Sequence, residues 1–537
     1  MKAPIRLLMF ALVALGLLAG TAGATHNADQ HRKMEPLFEG PPNATINSDL
    51  AFWGNHAFQG YYSGGPGGGV RIFDISNPAA PELIKDFACD GQQNDPILWD
   101  RNGNGVADLM LLAVDRTMES PECGAARATN AAGARFDAKP TGWEGVRVFT
   151  MSDDPENPFA TIQQVKAVYT DCGAHTITAW PEFADDASNP RLLVYASSYP
   201  LRPGPTCGVT QSPPAPTLPY LNTSNPYDAD PGSPNSGLHG VIQTVEVPLN
   251  NPAASHELTP AGQLPISYPG DPDNQIDWTE RGLTGLEPAA RACHDIVVRV
   301  EDRLAGGACA EQGQVWRILP NGLPDTANPI SIHDDELSSG NSAQATIPGG
   351  IDFFHSAMFN NEGTVVNWVD ESFGGGCPTM TDWQARPWHP AGTHKSGRMF
   401  FSDLDGNFLS DFHVGDLRPD VDDSYCSAHM GMAVKGIERD LLVNAWYTGG
   451  VDVIDFSNPT KLKEIAYYKF AGTFGSDNWS AYPYTGPMFR NGPGIPVYAS
   501  DGVEDTSTSR GTVVFRAILP KPGRPHRVDH LNPQTMD

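Results

Sequence analysis

Seven short segments of this chain share one column, and read in order that column is Asp, Asp, His, His, His, His, Trp. The segments are Ser48-Asp49-Leu50-Ala51-Phe52, Asn94-Asp95-Pro96-Ile97-Leu98, Ala174-His175-Thr176-Ile177-Thr178, Cys293-His294-Asp295-Ile296-Val297, Phe354-His355-Ser356-Ala357-Met358, Ala428-His429-Met430-Gly431-Met432 and Asn478-Trp479-Ser480-Ala481-Tyr482. A second β-like run follows each, and in most a third, before the pattern restarts. Self-similarity at a period of roughly 40 residues or more, with several strands per unit, is the signature of a propeller. The pattern therefore predicts an all-β, seven-bladed β-propeller over residues 46–518. If the column opens the innermost strand of each blade, four imidazoles and two carboxylates converge on one channel mouth.

The flanking segments read differently. Lys2 and Arg6, the apolar stretch Leu7 to Leu18 and the small residues Thr21-Ala22-Gly23-Ala24 predict a cleaved signal peptide over residues 1–24. That stretch is too short to span a bilayer and no later run approaches ~18 apolar residues, so a secreted or periplasmic protein without membrane insertion is expected. Within residues 25–45, Met34-Glu35-Pro36-Leu37-Phe38 is expected to supply the outer strand of blade seven, and residues 519–537, rich in Pro and charge, to be a disordered tail. The formal net charge of −28 repels nucleic acid and anionic membranes, which disfavours both as partners.

The third strand of blade one, Gly69-Val70-Arg71-Ile72-Phe73-Asp74-Ile75-Ser76-Asn77-Pro78, alternates like a half-buried strand and stops at an Asn-Pro turn. Blade six repeats it as Gly449-Gly450-Val451-Asp452-Val453-Ile454-Asp455-Phe456-Ser457-Asn458-Pro459. Both segments resemble the LVIVD-repeat family, a resemblance that implies a propeller-like fold and export but no settled chemistry. Elsewhere the repeat keeps its shape and loses the Asp, as in Gly145-Val146-Arg147-Val148-Phe149 and Gly511-Thr512-Val513-Val514-Phe515.

Eight cysteines in an exported chain should be paired. Cys89, Cys172, Cys293 and Cys426 lie just ahead of column positions, whereas Cys123, Cys207, Cys309 and Cys377 follow or end second strands. The entry to strand one and the exit from strand two share a face of the ring, which predicts Cys89–Cys123, Cys172–Cys207, Cys293–Cys309 and Cys377–Cys426. No C-x-x-C spacing occurs, so a Cys-rich metal site is disfavoured. The same strand order places three long insertions, Pro203 to Gly237, Pro252 to Arg291 and Cys377 to Gly397, on the column's face, where loops commonly carry function.

The chemistry expected there follows from the ligand types. Neutral imidazole binds Zn, Cu or Fe, and His175, His294, His355 and His429, from four consecutive repeats, are the candidate transition-metal ligands. Asp49, Asp95 or Asp370 would move the proton. Polar residues ending second strands, among them Asp115, Glu371, Tyr447 and Asp501, should ring the same mouth. A separate loop, Asp100-Arg101-Asn102-Gly103-Asn104-Gly105-Val106-Ala107-Asp108, places Asp100, Asn102, Asn104 and Asp108 at calcium-loop positions one, three, five and nine, with Gly at six and no Glu at twelve. Two functions emerge. One is a metal-dependent hydrolase, lyase or oxidase acting on a small polar or carbohydrate ligand. The other is a non-catalytic module that binds an extracellular protein or glycan.

Overall fold

The computed structural model describes residues 28–537 except 64–66, 128–142, 155, 171–172, 198–240, 259–260, 267–292, 310–311, 335–350, 352, 372–396, 418–425, 473–474, 487–493, 504–508 and 520–526. Seven mainly antiparallel sheets form a seven-bladed propeller, and apart from strands added from the two chain ends each runs from an innermost to an outermost strand in chain order. Blade one comprises Ile46–Trp53, His56–Tyr62, Gly68–Asp74 and Glu82–Ala88, and blade two Pro96–Trp99, Leu109–Met118, Trp143–Met151 and Ile162–Tyr169. Blade three comprises Thr176–Trp180, Arg191–Ser197 and Val241–Pro248, edged by His256–Glu257 and Gln263–Pro265. Part of the expected Pro252 to Arg291 insertion is therefore the outer edge of a blade. Blade four runs Asp295–Arg299, Leu304–Cys309, Gln312–Arg317 and Ser331–Asp334, and blade five Phe354–Phe359, Val365–Asp370, Met399–Asp403 and Phe408–Phe412. Gly431–Ala433, Leu441–Ala445, Val451–Asp455 and Lys463–Lys469 form blade six, with Gln30–Arg32 added outside. Asn478–Pro483, Ile495–Asp501 and Gly511–Ala517 form blade seven, whose outer strand is Met34–Glu39. A segment from before blade one thus completes the last blade.

The core lies between blades rather than inside one layer. In the run Leu109-Met110-Leu111-Leu112-Ala113-Val114 every side chain is buried. Leu109, Leu111 and Ala113 cluster with Ile177, Leu192 and Val194 of blade three, while Met110 and Leu112 cluster with Ala51, Phe58 and Val70 of blade one. Successive side chains of a strand point to opposite faces, so a blade covered on both sides needs an unbroken apolar run. The outer strand Glu82–Ala88, at the rim, is mostly exposed.

Of the segment expected to be a disordered tail, residues 520–526 lie outside the described residues, while the remainder from 527 pairs with the ring. Residues 527–537 are ordered and cross the channel at the end opposite the column. His530–Leu531 pairs with Phe52 and Trp53 of blade one, and Thr535–Met536 pairs in parallel with Val298 and Arg299 of blade four. Between them the Asn532 side chain accepts from Leu98 N at 2.7 Å and donates to Leu98 O at 3.0 Å, and Thr535 Oγ1 donates to Ala179 O at 3.0 Å. Innermost strands present a free edge to the channel, and their buried backbone groups need partners. The polar residues that read as disorder supply those partners.

Cys89–Cys123 and Cys293–Cys309 are disulfide-bonded. Cys426 is also in a disulfide, while Cys172, Cys207 and Cys377 lie outside the described residues, as do the signal segment 1–24 and the insertion Pro203 to Gly237. Among the described residues no helix is long and apolar enough to cross a membrane.

Candidate functional site

The column residues sit where the innermost strands begin, and local backbone irregularity aims several of them. In blades five and seven the pairing register shifts between Phe354 and Ser356 and between Asn478 and Ser480, which makes His355 and Trp479 the bulged residues. In blade one the shift spans Asn47 to Leu50 and contains Asp49. A bulge turns a side chain away from the regular alternation of the strand, here toward the channel.

The four histidines form a continuous buried arc. Ring centroids are 4.4 Å apart for His175 and His294, 3.9 Å for His294 and His355, and 4.3 Å for His355 and His429. Trp479 extends the arc, 4.6 Å from His429. The Nδ1 of His429 meets the carbonyl of Trp479, that of His294 meets the carbonyl of His355 at 3.1 Å, and that of His175 meets Asp115 Oδ2 at 2.6 Å. A carbonyl only accepts, so His294 and His429 carry the proton on Nδ1 and keep the Nε2 lone pair, the tautomer that metal-binding histidines adopt, while Nε2 of His175 lies 3.2 Å from Gln93 Nε2. Burial, reinforced by the neighbouring imidazoles, pushes His294 and His355 well below the ordinary histidine value, and burial takes His429 down to about 3. These three rings are neutral at physiological pH.

Glu371, which follows the second strand of blade five, completes the densest part of the site. His355 Nε2 lies 3.8 Å from Glu371 Oε2, and His429 Nε2 lies 3.7 Å from Glu371 Oε1. Both distances exceed a hydrogen bond. One ligand atom from each of His355, His429 and Glu371 falls within 4.8 Å of the other two. Moreover, His429 Nε2 is buried without a hydrogen-bond partner. Tyr447 Oη donates to Glu371 Oε1 at 2.6 Å while its ring packs edge-on against His429. Two imidazoles and a carboxylate fit Zn or Fe(II) and leave open coordination positions.

His355 and His429 join Glu371, whereas His294 and His175 continue the arc beyond that group. The proposed proton carriers lie elsewhere. Asp370 is buried and accepts from Phe353 N at 3.1 Å and Gly397 N at 2.9 Å, which pins two loop ends. Asp49 accepts from Tyr482 Oη at 2.7 Å, and Asp95 from Ile177 N at 3.0 Å. Those partners lie two or three residues past the column on neighbouring inner strands, so both carboxyls occupy a layer beneath the imidazoles. There, burial and then repulsion by Asp49, with a smaller part from Asp295, raise Asp95 well above the carboxylate range, and burial raises Asp49. Asp501 likewise accepts from Arg510 N and Asp477 N, with burial raising it to about 6.

The calcium-type loop is held by the chain itself. Asp100 accepts from the backbone of Gly103 and Gly105 at 2.8 and 2.6 Å, Asn102 from Asn104 N at 3.0 Å, and Asn104 from Val106 N at 2.8 Å. Asp108 pairs with Arg101 at 2.9 Å. Glu371 appears in the sequence only as one polar strand-end residue among many. Asp115 was equally inconspicuous, and nothing near either residue marks it as a partner of a particular histidine.

The LVIVD repeat family model matches residues 49–88, which covers the inner three strands and the outer strand of blade one. No protein of curated function matches the sequence. Among solved structures the chain is similar to the Dos1 propeller, at 10% identity over 88% of this chain and 78% of that one, with a TM-score of 0.37. It is also similar to Raptor of Chaetomium thermophilum, at 10% identity over 93% of this chain and 30% of that one, with a TM-score of 0.40.

Proposed function

We propose that this LVIVD-repeat propeller is an exported metalloprotein that holds one transition metal, Zn or Fe, on His355, His429 and Glu371 and acts on a small polar substrate at the channel mouth. The observation that carries the reading is the buried Nε2 of His429, which has no hydrogen-bond partner and whose lone pair stands 3.7 Å from the Glu371 carboxylate. A buried polar atom left in that state costs about 1–3 kcal/mol, and a metal ion removes the cost. Such an ion would polarise a substrate oxygen or lower the pKa of bound water. His175 is oriented through Nδ1 by Asp115 and through Nε2 by Gln93 at 3.2 Å, and would have to release Gln93 before accepting a proton. The C-terminal strap closes the opposite end of the channel, so substrate would enter from the column's face. The disulfides agree with an oxidising compartment.

Elemental analysis of the exported chain tests this reading. About one Zn or Fe per chain, lost in both His355→Ala and His429→Ala with the fold intact, is the expected result. A wild-type protein that retains no transition metal after reconstitution would refute it.

A further inference from the structure

Beneath the histidine arc lies a small cavity, lined among others by Asp295, Ser356, Asn367, Gly431, Asn444 and Gln534. Its size matches a single water-sized particle. Four lining oxygens are buried without a hydrogen-bond partner: Asp295 Oδ2, Asn367 Oδ1, Asn444 Oδ1 and Gln534 Oε1. They come from blades four, five and six and from the C-terminal strap. The lining holds no Lys, Arg or His among the described residues.

The amide orientations are set by neighbouring acceptors. Asn444 Nδ2 donates to Ala445 O at 2.6 Å and Gln534 Nε2 to Asp49 Oδ2 at 3.4 Å, so reversing either amide would set oxygen against oxygen. Asn367 Nδ2 is turned to Met399 Sδ at 3.4 Å. A Cβ at Gly431 would stand 2.6 Å from Asn444 Oδ1, so the glycine keeps that oxygen uncovered.

Beside one hydroxyl, Ser356, and several apolar side chains, the cavity gathers four unpartnered acceptor oxygens, which select an electron-poor occupant. One water donates two hydrogen bonds, so it would satisfy two of the four oxygens and leave two unpaired. A hard cation engages all four at once. We propose that this cavity is a calcium site built from Asp295, Asn367, Asn444 and Gln534, distinct from the His355–His429–Glu371 group. Carboxylate and amide oxygens are the ligands calcium takes, at about 2.3–2.6 Å. Because Gln534 belongs to the strap, the ion would join the strap to blades four to six.

The test is calorimetric titration of Ca²⁺ into the full chain stripped with EGTA, in an Asp100→Ala/Asp108→Ala background that removes the calcium-type loop. One Ca²⁺ per chain is expected. Asp295→Asn, which keeps the side-chain volume, and Asn367→Leu should each weaken binding tenfold or more. No Ca²⁺ bound in the background protein, or an affinity in Asp295→Asn within twofold of its parent, would overturn the site and leave water as the occupant. Zn or Fe content is unaffected by either outcome, so the result is independent of the His/Glu centre.

Discussion

Tyr447 offers the sharpest test of the metal centre because a single atom can be removed there. Its hydroxyl donates to Glu371 Oε1 at 2.6 Å, and its ring packs against His429 at a centroid distance of 4.8 Å. The residue is 2% exposed and its backbone sits at φ 40°, a region that costs a bulky residue about 1–3 kcal/mol. Its surroundings therefore hold the phenol in place. Tyr447→Phe keeps the ring packing and deletes only the O–H. A hydrogen bond to a charged group contributes about 1.5–3 kcal/mol, and loss of such a supporting contact weakens metal affinity about 10–100-fold. Competition for Zn(II) or Fe(II) against a chromophoric chelator reads this directly, with Glu371→Gln as the reference for loss of the carboxylate charge. An affinity in Tyr447→Phe within twofold of wild type, combined with metal retention by Glu371→Gln, would show that the carboxylate is not a ligand.

Three further outcomes follow from the geometry. Asn532→Ala leaves both Leu98 N and Leu98 O without the strap's amide and should cost about 2–4 kcal/mol in urea unfolding; a loss under about 0.5 kcal/mol would mean the strap is not held there in solution. Asp370→Ala should destabilise by a similar about 2–4 kcal/mol while keeping metal stoichiometry, whereas metal loss would give Asp370 a role its hydrogen bonds do not suggest. The pH dependence of the metal-free protein reports the buried imidazole. His429 is lowered to about 3, so the unfolded chain binds the extra proton between pH 6.5 and 3; its contribution to stability is complete above pH 6.5 and is lost as pH falls, by about 1.4 kcal/mol per unit. Relative to wild type, His429→Gln should gain that amount per unit from pH 6.5 down to pH 5, and a constant difference between them would show that the imidazole is not buried and neutral.

Much of this protein is legible in its sequence because repetition and alternation are local. The recurring segments fix seven blades, the apolar run Leu109 to Val114 marks a strand covered on both faces, and Cys89 with Cys123 and Cys293 with Cys309 could be paired from strand order. The column of histidines was visible for the same reason, since equivalent positions of a ring repeat meet at its axis. Chemistry at that axis was not fully legible. His355 is aimed by a bulge that no residue type announces, and Glu371 becomes a ligand candidate only where blade five meets Tyr447 of blade six. Asp49 and Asp95 share the column with the histidines, yet their bonds to Tyr482 and Ile177 draw them into a deeper layer. Composition alone made the C-terminal segment a tail, because Asn, Gln and Thr near Pro and charge read as solvent-seeking. Only the folded ring creates the unpaired strand edges at Phe52, Leu98 and Val298 that give those side chains partners, and so turn a polar tail into the floor of the channel.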